Sequence, residues 1–198
     1  MSVAAPYIDM HTHREGRVVI LCGARELLCR GIHPWKAGEA AQEEYSIDGI
    51  AAIGEIGLDY AVDVDRGLQK ALFERQLALA EAHDLPVVVH CVRAMDDTLA
   101  LLAGRRLRAV VFHGFSGNPQ VARRAIDRGY YLSFGERTFR SPKTLETLRT
   151  ISSDRLFLET DISQTQIESI YSRAAEAMGV DLGDLRAQIY DNYEKIFG

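Results

Sequence analysis

Short apolar runs alternate with amphipathic stretches along the chain, and the two periods together predict an α/β fold. Strand-like runs stand at about 7–11, 17–22, 27–32, 50–56, 86–91, 108–113, 130–134 and 155–160. From Leu85 onward each run is followed by a helical pattern, which predicts βα units and a parallel sheet. Late in the chain Ser163 and Gln166 make a capping-box pattern that predicts a helix starting near Ser163. Ile167, Ile170, Tyr171, Ala174 and Met178 then form one apolar stripe, and Gly179 is placed to stop it. A final helix carries Leu182, Leu185, Ile189, Tyr193 and Ile196. Both stripes face a core and carry no chemistry.

Eight strands with outer helices predict a TIM-like (β/α)8 barrel, a single domain over 1–198. The barrel must be a shortened one, because such folds usually need about 250 residues. Loop length locates the loss. A parallel crossover needs a dozen or more residues, yet only about five separate the first two strands and about four, Gly23 to Glu26, the next two. The first two crossover helices are therefore expected to be missing. Strand 17–22 is expected to run antiparallel to its neighbours, or to lie outside the barrel.

Composition narrows the function. Apolar residues make up 47% and charged residues 26% of the 198, the balance of an ordinary soluble globule. No run approaches the roughly 20 apolar residues of a membrane span. Met1 to Tyr7 shows no signal peptide, which predicts a cytoplasmic protein. Cys22, Cys29 and Cys91 form neither a CxxC pair nor an even set, so reduced thiols are the simpler reading. The net charge of −5 argues against holding nucleic acid by bulk charge. Arg105, Arg106 and Arg108, and Arg123 with Arg124, read as solvated helix ends before basic patches. Any phosphate must be held by local charge, and bound metal ions would provide it.

Polar residues that bear chemistry cluster at the C-terminal ends of the predicted strands. His11 and His13 follow Tyr7-Ile8-Asp9-Met10; Glu55 ends Ala52-Ile53-Gly54; His90 ends Pro86-Val87-Val88-Val89. His113 ends Val110-Val111-Phe112, and Asp161 ends Leu156-Phe157-Leu158-Glu159-Thr160. In a barrel these ends converge on the face where active sites are found. His11 and His13 are two apart, so extended backbone turns both to one side. Singly, each residue has a plainer role: a hydrogen-bonded histidine, an Asp161 helix cap, a Glu55 paired with arginine. Six such groups at one end are costly to bury without a partner, and a cation answers that cost.

The runs YIDMHTH, GIHPW, AIGEIGLDY, FERQLALAEAHDLPVVVHC, VVFHGFSGNP, LFLETD and NYEKIFG resemble the TatD family of metal-dependent hydrolases, often named deoxyribonucleases. The resemblance runs from Tyr7 to the C-terminus and is closest to the family's short variants. It implies two divalent ions: one on His11, His13 and Asp161, a second on His90 and His113, with Glu55 bridging both. Mixed imidazole and carboxylate ligands suit Zn or Mn, whereas the resemblance also admits Mg. It further implies a nucleic acid substrate, single-stranded DNA foremost, with no membrane and no obligate protein partner. A hydroxide bridging the ions would attack phosphorus, with Asp161 as ligand and proton acceptor. Two dications against Glu55 and Asp161 leave a formal surplus near +2 that draws phosphate.

Three further residues are candidates for substrate contact. His33, ending the third strand, either touches substrate or donates a proton, or else serves the turn before Pro34; Arg93 and Ser116 are phosphate contacts. The chain also departs from the family pattern. Arg14-Glu15 follows His13 where an aspartate is common two residues on, and Ile162-Ser163 is expected to enter a helix without the usual Pro-containing loop. Two other functions compete. One is ester, amide or lactone hydrolysis, including deacylation of charged transfer RNA. Barrels of that kind often bridge their metals with a carbamylated lysine, and none of Lys36, Lys70, Lys143 and Lys195 ends a strand. The other is a non-catalytic metal-binding module.

Overall fold

The computed structural model describes residues 4–40 and 43–198, so Met1–Val3 of the N-terminal stretch lie outside the described residues. The first two strands, β1 (Ile8–Arg14) and β2 (Arg17–Cys22), pair antiparallel with Arg14 opposite Arg17. Glu15 and Gly16 join them at φ +50° and +75°. Two consecutive positive φ values are what the tightest hairpin turn demands. Only Gly23 and Ala24 lead from β2 to β3 (Arg25–Arg30). Neither connection has room for a helix, so the first two crossover helices are absent and 17–22 is antiparallel to β1, as loop length implied. The β1–β2 register slips between Asp9 and Thr12, which sets a bulge beside His11. Bulges of this kind re-aim side chains near functional sites.

The eight strands follow the chain in order, β1 to β8. Contacts divide the chain into two compact units, Leu28–Phe112 and Met1–Leu27 with His113–Gly198.

In the unit Leu28–Phe112 the pairing is parallel throughout: β3 with β4 (Ala52–Asp59), β4 with β5 (Val87–Val92), and β5 with β6 (Val110–Phe112). α1 (Arg66–Ala82) returns from β4 to β5, its first turn capped by Asp65, which accepts the Leu68 N–H at 2.9 Å. α2 (Met95–Leu102) links β5 to β6. Ile53, Ile56, Leu58, Val87 and Val89 of the strands and Phe73 and Leu77 of α1 are all closed to solvent. Two buried glutamines of α1 replace missing sheet partners. Gln69 accepts the Asp59 N–H at 2.7 Å and donates to the Asp59 carbonyl at 2.9 Å; Gln76 does the same for Ile32, at 2.7 and 3.0 Å. Each clamps backbone beside a polar residue of the candidate site.

In the other unit β7 (Tyr131–Phe134) pairs parallel with β8 (Leu156–Leu158), and Thr12 of β1 bridges Asp161 just past β8. Four helices belong here: α3 (Pro119–Ile126), α4 (Pro142–Thr150), α5 (Ile167–Met178) and α6 (Leu182–Phe197). The predicted stripes are core-facing, with Ile170, Tyr171, Ala174, Leu185, Ile189, Tyr193 and Ile196 all buried. Tyr171 anchors α5 to β1, its hydroxyl donating to the Ile8 carbonyl at 3.0 Å and accepting the Ile8 N–H at 3.2 Å. Gly179 stops α5 in the left-handed conformation.

The start of α5 differs from expectation. It begins at Ile167, and Gln166 makes no side-chain cap. The Ser163 hydroxyl is committed elsewhere: it donates to Glu136 Oε2 and accepts the Thr165 N–H at 3.0 Å. Residues 162–166 therefore form a turn between Asp161 and the helix. Among the described residues, no helix is long and apolar enough to cross a membrane.

Candidate metal centre

The first group of ligating side chains is built by a backbone rung. Asp161 N–H donates to the His11 carbonyl at 2.8 Å, and the Asp161 carbonyl accepts the His13 N–H at 3.3 Å. Asp161 itself sits at φ +53°, a left-handed conformation that aspartate tolerates better than most residues. Held this way, its Oδ1 lies 3.8 Å from His11 Nε2 and 3.6 Å from His13 Nε2. All three ligand atoms fall within 4.8 Å of one another. Metal bonds of about 2.0–2.2 Å put neighbouring donors roughly 3–4 Å apart, so the group fits a divalent ion. The alternation argument holds: both histidines turn to Asp161, His11 fully buried and His13 at the edge.

His113, just past β6, is buried with its ring 4.1 Å from that of His11, centroid to centroid. Its Nδ1 lies 3.6 Å from Oε1 of the fully buried Glu159, which accepts the Gly114 N–H at 2.6 Å. The second Glu159 oxygen is buried without a hydrogen-bond partner, a costly arrangement for a carboxylate.

The second group lies in the unit Leu28–Phe112. Glu55 Oε1 is 2.9 Å from His90 Nδ1 and 3.3 Å from His33 Nε2. His90 Nε2 is 3.0 Å from Asp59 Oδ2. Asp59 also accepts the Trp35 indole N–H at 2.7 Å and the Ala61 N–H at 2.9 Å. Burial alone would raise the Asp59 pKa, but the hydrogen bonds from Trp35, Ala61 and His90 outweigh it and hold the carboxyl below its ordinary value. His90 thus has a carboxylate against each ring nitrogen, Asp59 at Nε2 and Glu55 at Nδ1. A carboxylate behind a ligating imidazole is the usual way of fixing its tautomer.

His33 stands in this group but is suited to a different task. It caps the 3-10 turn Pro34–Lys36, with Nδ1 accepting the Trp35 N–H at 3.3 Å. A neutral imidazole that accepts at Nδ1 carries its proton at Nε2. His33 therefore presents a proton donor toward Glu55 while it serves the turn before Pro34. Arg93 is exposed at φ +52° in the bend after β5, and Ser116 is exposed in the loop between β6 and α3.

The sequence reading passed over Asp59, Glu159, Asp9 and Thr160. A signal was present for three of them. Asp59 shares a face with Glu55 by alternation along β4, as Glu159 does with Asp161 and Asp9 with His11. Asp9 accepts the Thr160 N–H at 2.9 Å and the Thr160 hydroxyl at 2.6 Å, and that hydroxyl also lies 2.8 Å from Thr12 Oγ1. Burial pushes the Asp9 carboxyl up to about 7 although the Thr160 bonds oppose it. This network staples β1 to the end of β8 and so sets the spacing of His11, His13 and Asp161. Thr160→Val keeps the shape and removes the hydroxyl from a buried carboxyl. A loss of about 1–3 kcal/mol is expected, read from urea unfolding of metal-free protein.

Comparison with known proteins agrees with this architecture. Residues 9–198 match the family model described as TatD related DNase. The Bacillus subtilis protein YabD, described as an uncharacterized metal-dependent hydrolase, is 36% identical over 143 residues, 66% of this chain and 56% of the relative. Among solved structures, Escherichia coli YJJV, a TatD homolog, superposes with a TM-score of 0.74 at 26% identity, covering 86% of this chain and 76% of that one. A TatD family hydrolase from Entamoeba histolytica gives 0.76 at 21% identity, covering 86% and 74%, which supports the fold. The chain spans between half and three fifths of the first curated relatives it matches, 56% and 57%. The TIM-barrel-like α/β fold is thus shared with a TatD homolog of solved structure, and this chain belongs to the TatD related DNase family.

Proposed function

We propose that the chain is a two-metal phosphodiesterase acting on nucleic acid, single-stranded DNA foremost, and that its two units work as one hydrolase domain. The observation that carries this reading is the pair of imidazole–carboxylate groups, one on His11, His13 and Asp161, the other on Glu55 and His90. The proposed ligand set is His11, His13, Glu55, His90, His113 and Asp161. Their mixed nitrogen and oxygen donors favour Zn or Mn over Mg. These residues would hold divalent ions, which would supply a water of lowered pKa and charge stabilisation on the attacking and leaving oxygens.

The chain's own residues do the rest. Asp161 Oδ1 lies between two imidazoles, where it would take the proton given up by the attacking water. Asp59 holds the His90 ring by Nε2 so that Nδ1 faces Glu55. His33 Nε2 donates to Glu55 or to a substrate oxygen that takes its place. Arg93 and Ser116 meet the phosphates that flank the cleaved bond.

The test compares three substrates: a single-stranded oligonucleotide, an aryl phosphodiester and an aryl ester. Metal-loaded protein is expected to cleave both diesters and leave the ester intact. Chelation should end turnover, and added Zn or Mn should restore it. Ester cleavage with inert diesters would replace this reading with a deacylase, and metal binding without any turnover would leave a binding module.

A further inference from the structure

Trp35 is the only tryptophan of the chain, and 57% of its surface is exposed. A single exposed apolar side chain is ordinary in itself. This one is held in place as few exposed side chains are. It follows buried Pro34 in a 3-10 turn, its backbone N–H donates to His33 Nδ1, and its indole N–H donates to Asp59 Oδ2 at 2.7 Å. Asp59 is the same carboxylate that faces His90 Nε2. The indole ring stands edge-on to His33, 4.7 Å between centroids at 81°, and 6.4 Å from His90 at 80°. More than half of a rigid aromatic surface thus remains open to solvent at the border of the Glu55–His33–His90 group.

We infer that Trp35 is a stacking platform for the nucleobase next to the cleaved bond, so that the substrate is recognised by an aromatic face as well as by its phosphate. The inference rests on the nucleic acid reading of this site and deepens it. Its chemistry is sequence-tolerant, because every base offers a π-face, and the anchor to Asp59 means that little ordering remains to be done on binding. Lys36, exposed beside Trp35 on the same turn, adds a positive charge where the strand's backbone would pass.

A lone tryptophan makes the test direct. Metal-loaded protein is titrated with a phosphorothioate oligothymidylate, which resists cleavage, and with an abasic oligomer of the same length. Binding is followed by anisotropy of a labelled oligomer and, separately, by tryptophan emission. The base-bearing oligomer is expected to quench the emission, and the abasic one to bind about tenfold more weakly without quenching. Trp35→Ala should show the same tenfold loss, while Trp35→Phe, which keeps the ring and drops the indole N–H, should stay close to the parent affinity. Unchanged emission at saturating oligomer, or equal affinity for the two oligomers, overturns the stacking role and leaves the nuclease reading standing. No binding of either oligomer removes both.

Discussion

Glu55→Gln is expected to lower turnover by more than about 100-fold and to reduce bound metal, with folding of the metal-free protein intact. Even partners that only orient a ligand are worth roughly 10–100-fold in metal affinity or activity, and a direct ligand exceeds that. Glutamine preserves the length of the side chain and can still bond to His90 and His33, 2.9 and 3.3 Å away, so the local packing has no reason to change. What disappears is one negative charge and one strong donor oxygen. Metal content by atomic emission and denaturant midpoint without metal, measured together, separate loss of a ligand from loss of structure. Full activity with full metal content would end the assignment of Glu55.

Gly57→Ala is expected to destabilise the fold by about 3–6 kcal/mol, a large part of the roughly 5–15 kcal/mol that holds a domain together. Gly57 adopts φ +140°, where side chains are rarely found, and an added Cβ would stand 2.0 Å from the His90 carbonyl oxygen. The obstacle is backbone, so no rotamer change relieves it. Gly54 makes a similar approach on the same strand, its added Cβ meeting Val88 Cβ at 2.7 Å. Both glycines let β4 press against β5, and the pressed strands carry Glu55 and His90. A lowered urea midpoint and weaker metal binding should therefore appear together in Gly57→Ala. A midpoint near that of the parent would show that the strands can part without cost.

Much of the fold was legible from the chain alone because its signals are local. Apolar runs bounded by turn residues mark strands, and eight of them were found at nearly their observed positions. The two short connections after the first two strands could hold no crossover helix, so the antiparallel course of 17–22 followed from counting residues. The start of α5 was not legible. Ser163 and Gln166 satisfy a capping pattern, but a partner at Glu136, 27 residues away, takes the Ser163 hydroxyl.

The candidate site divides the same way. Residue type and strand-end position singled out His11, His13, Glu55, His90, His113 and Asp161, because side chains two apart on a strand share a face wherever the strand goes. Which of them meet was decided by contacts across the chain. Asp9 and Thr160 are 151 residues apart, yet their hydrogen bonds set the first group's spacing. Gln69 fixes Asp59 from a helix, and Asp59 in turn meets His90 on the ring nitrogen opposite Glu55. His33 shows the limit most clearly: its spacing allowed a turn residue or a substrate contact, and only folding put Trp35 on one of its nitrogens and Glu55 near the other. Sequence determined which ligand-type groups stand at which strand ends, since that depends on residue type and local period. Tertiary structure decided distances and partners, since these depend on atoms that come close only after folding.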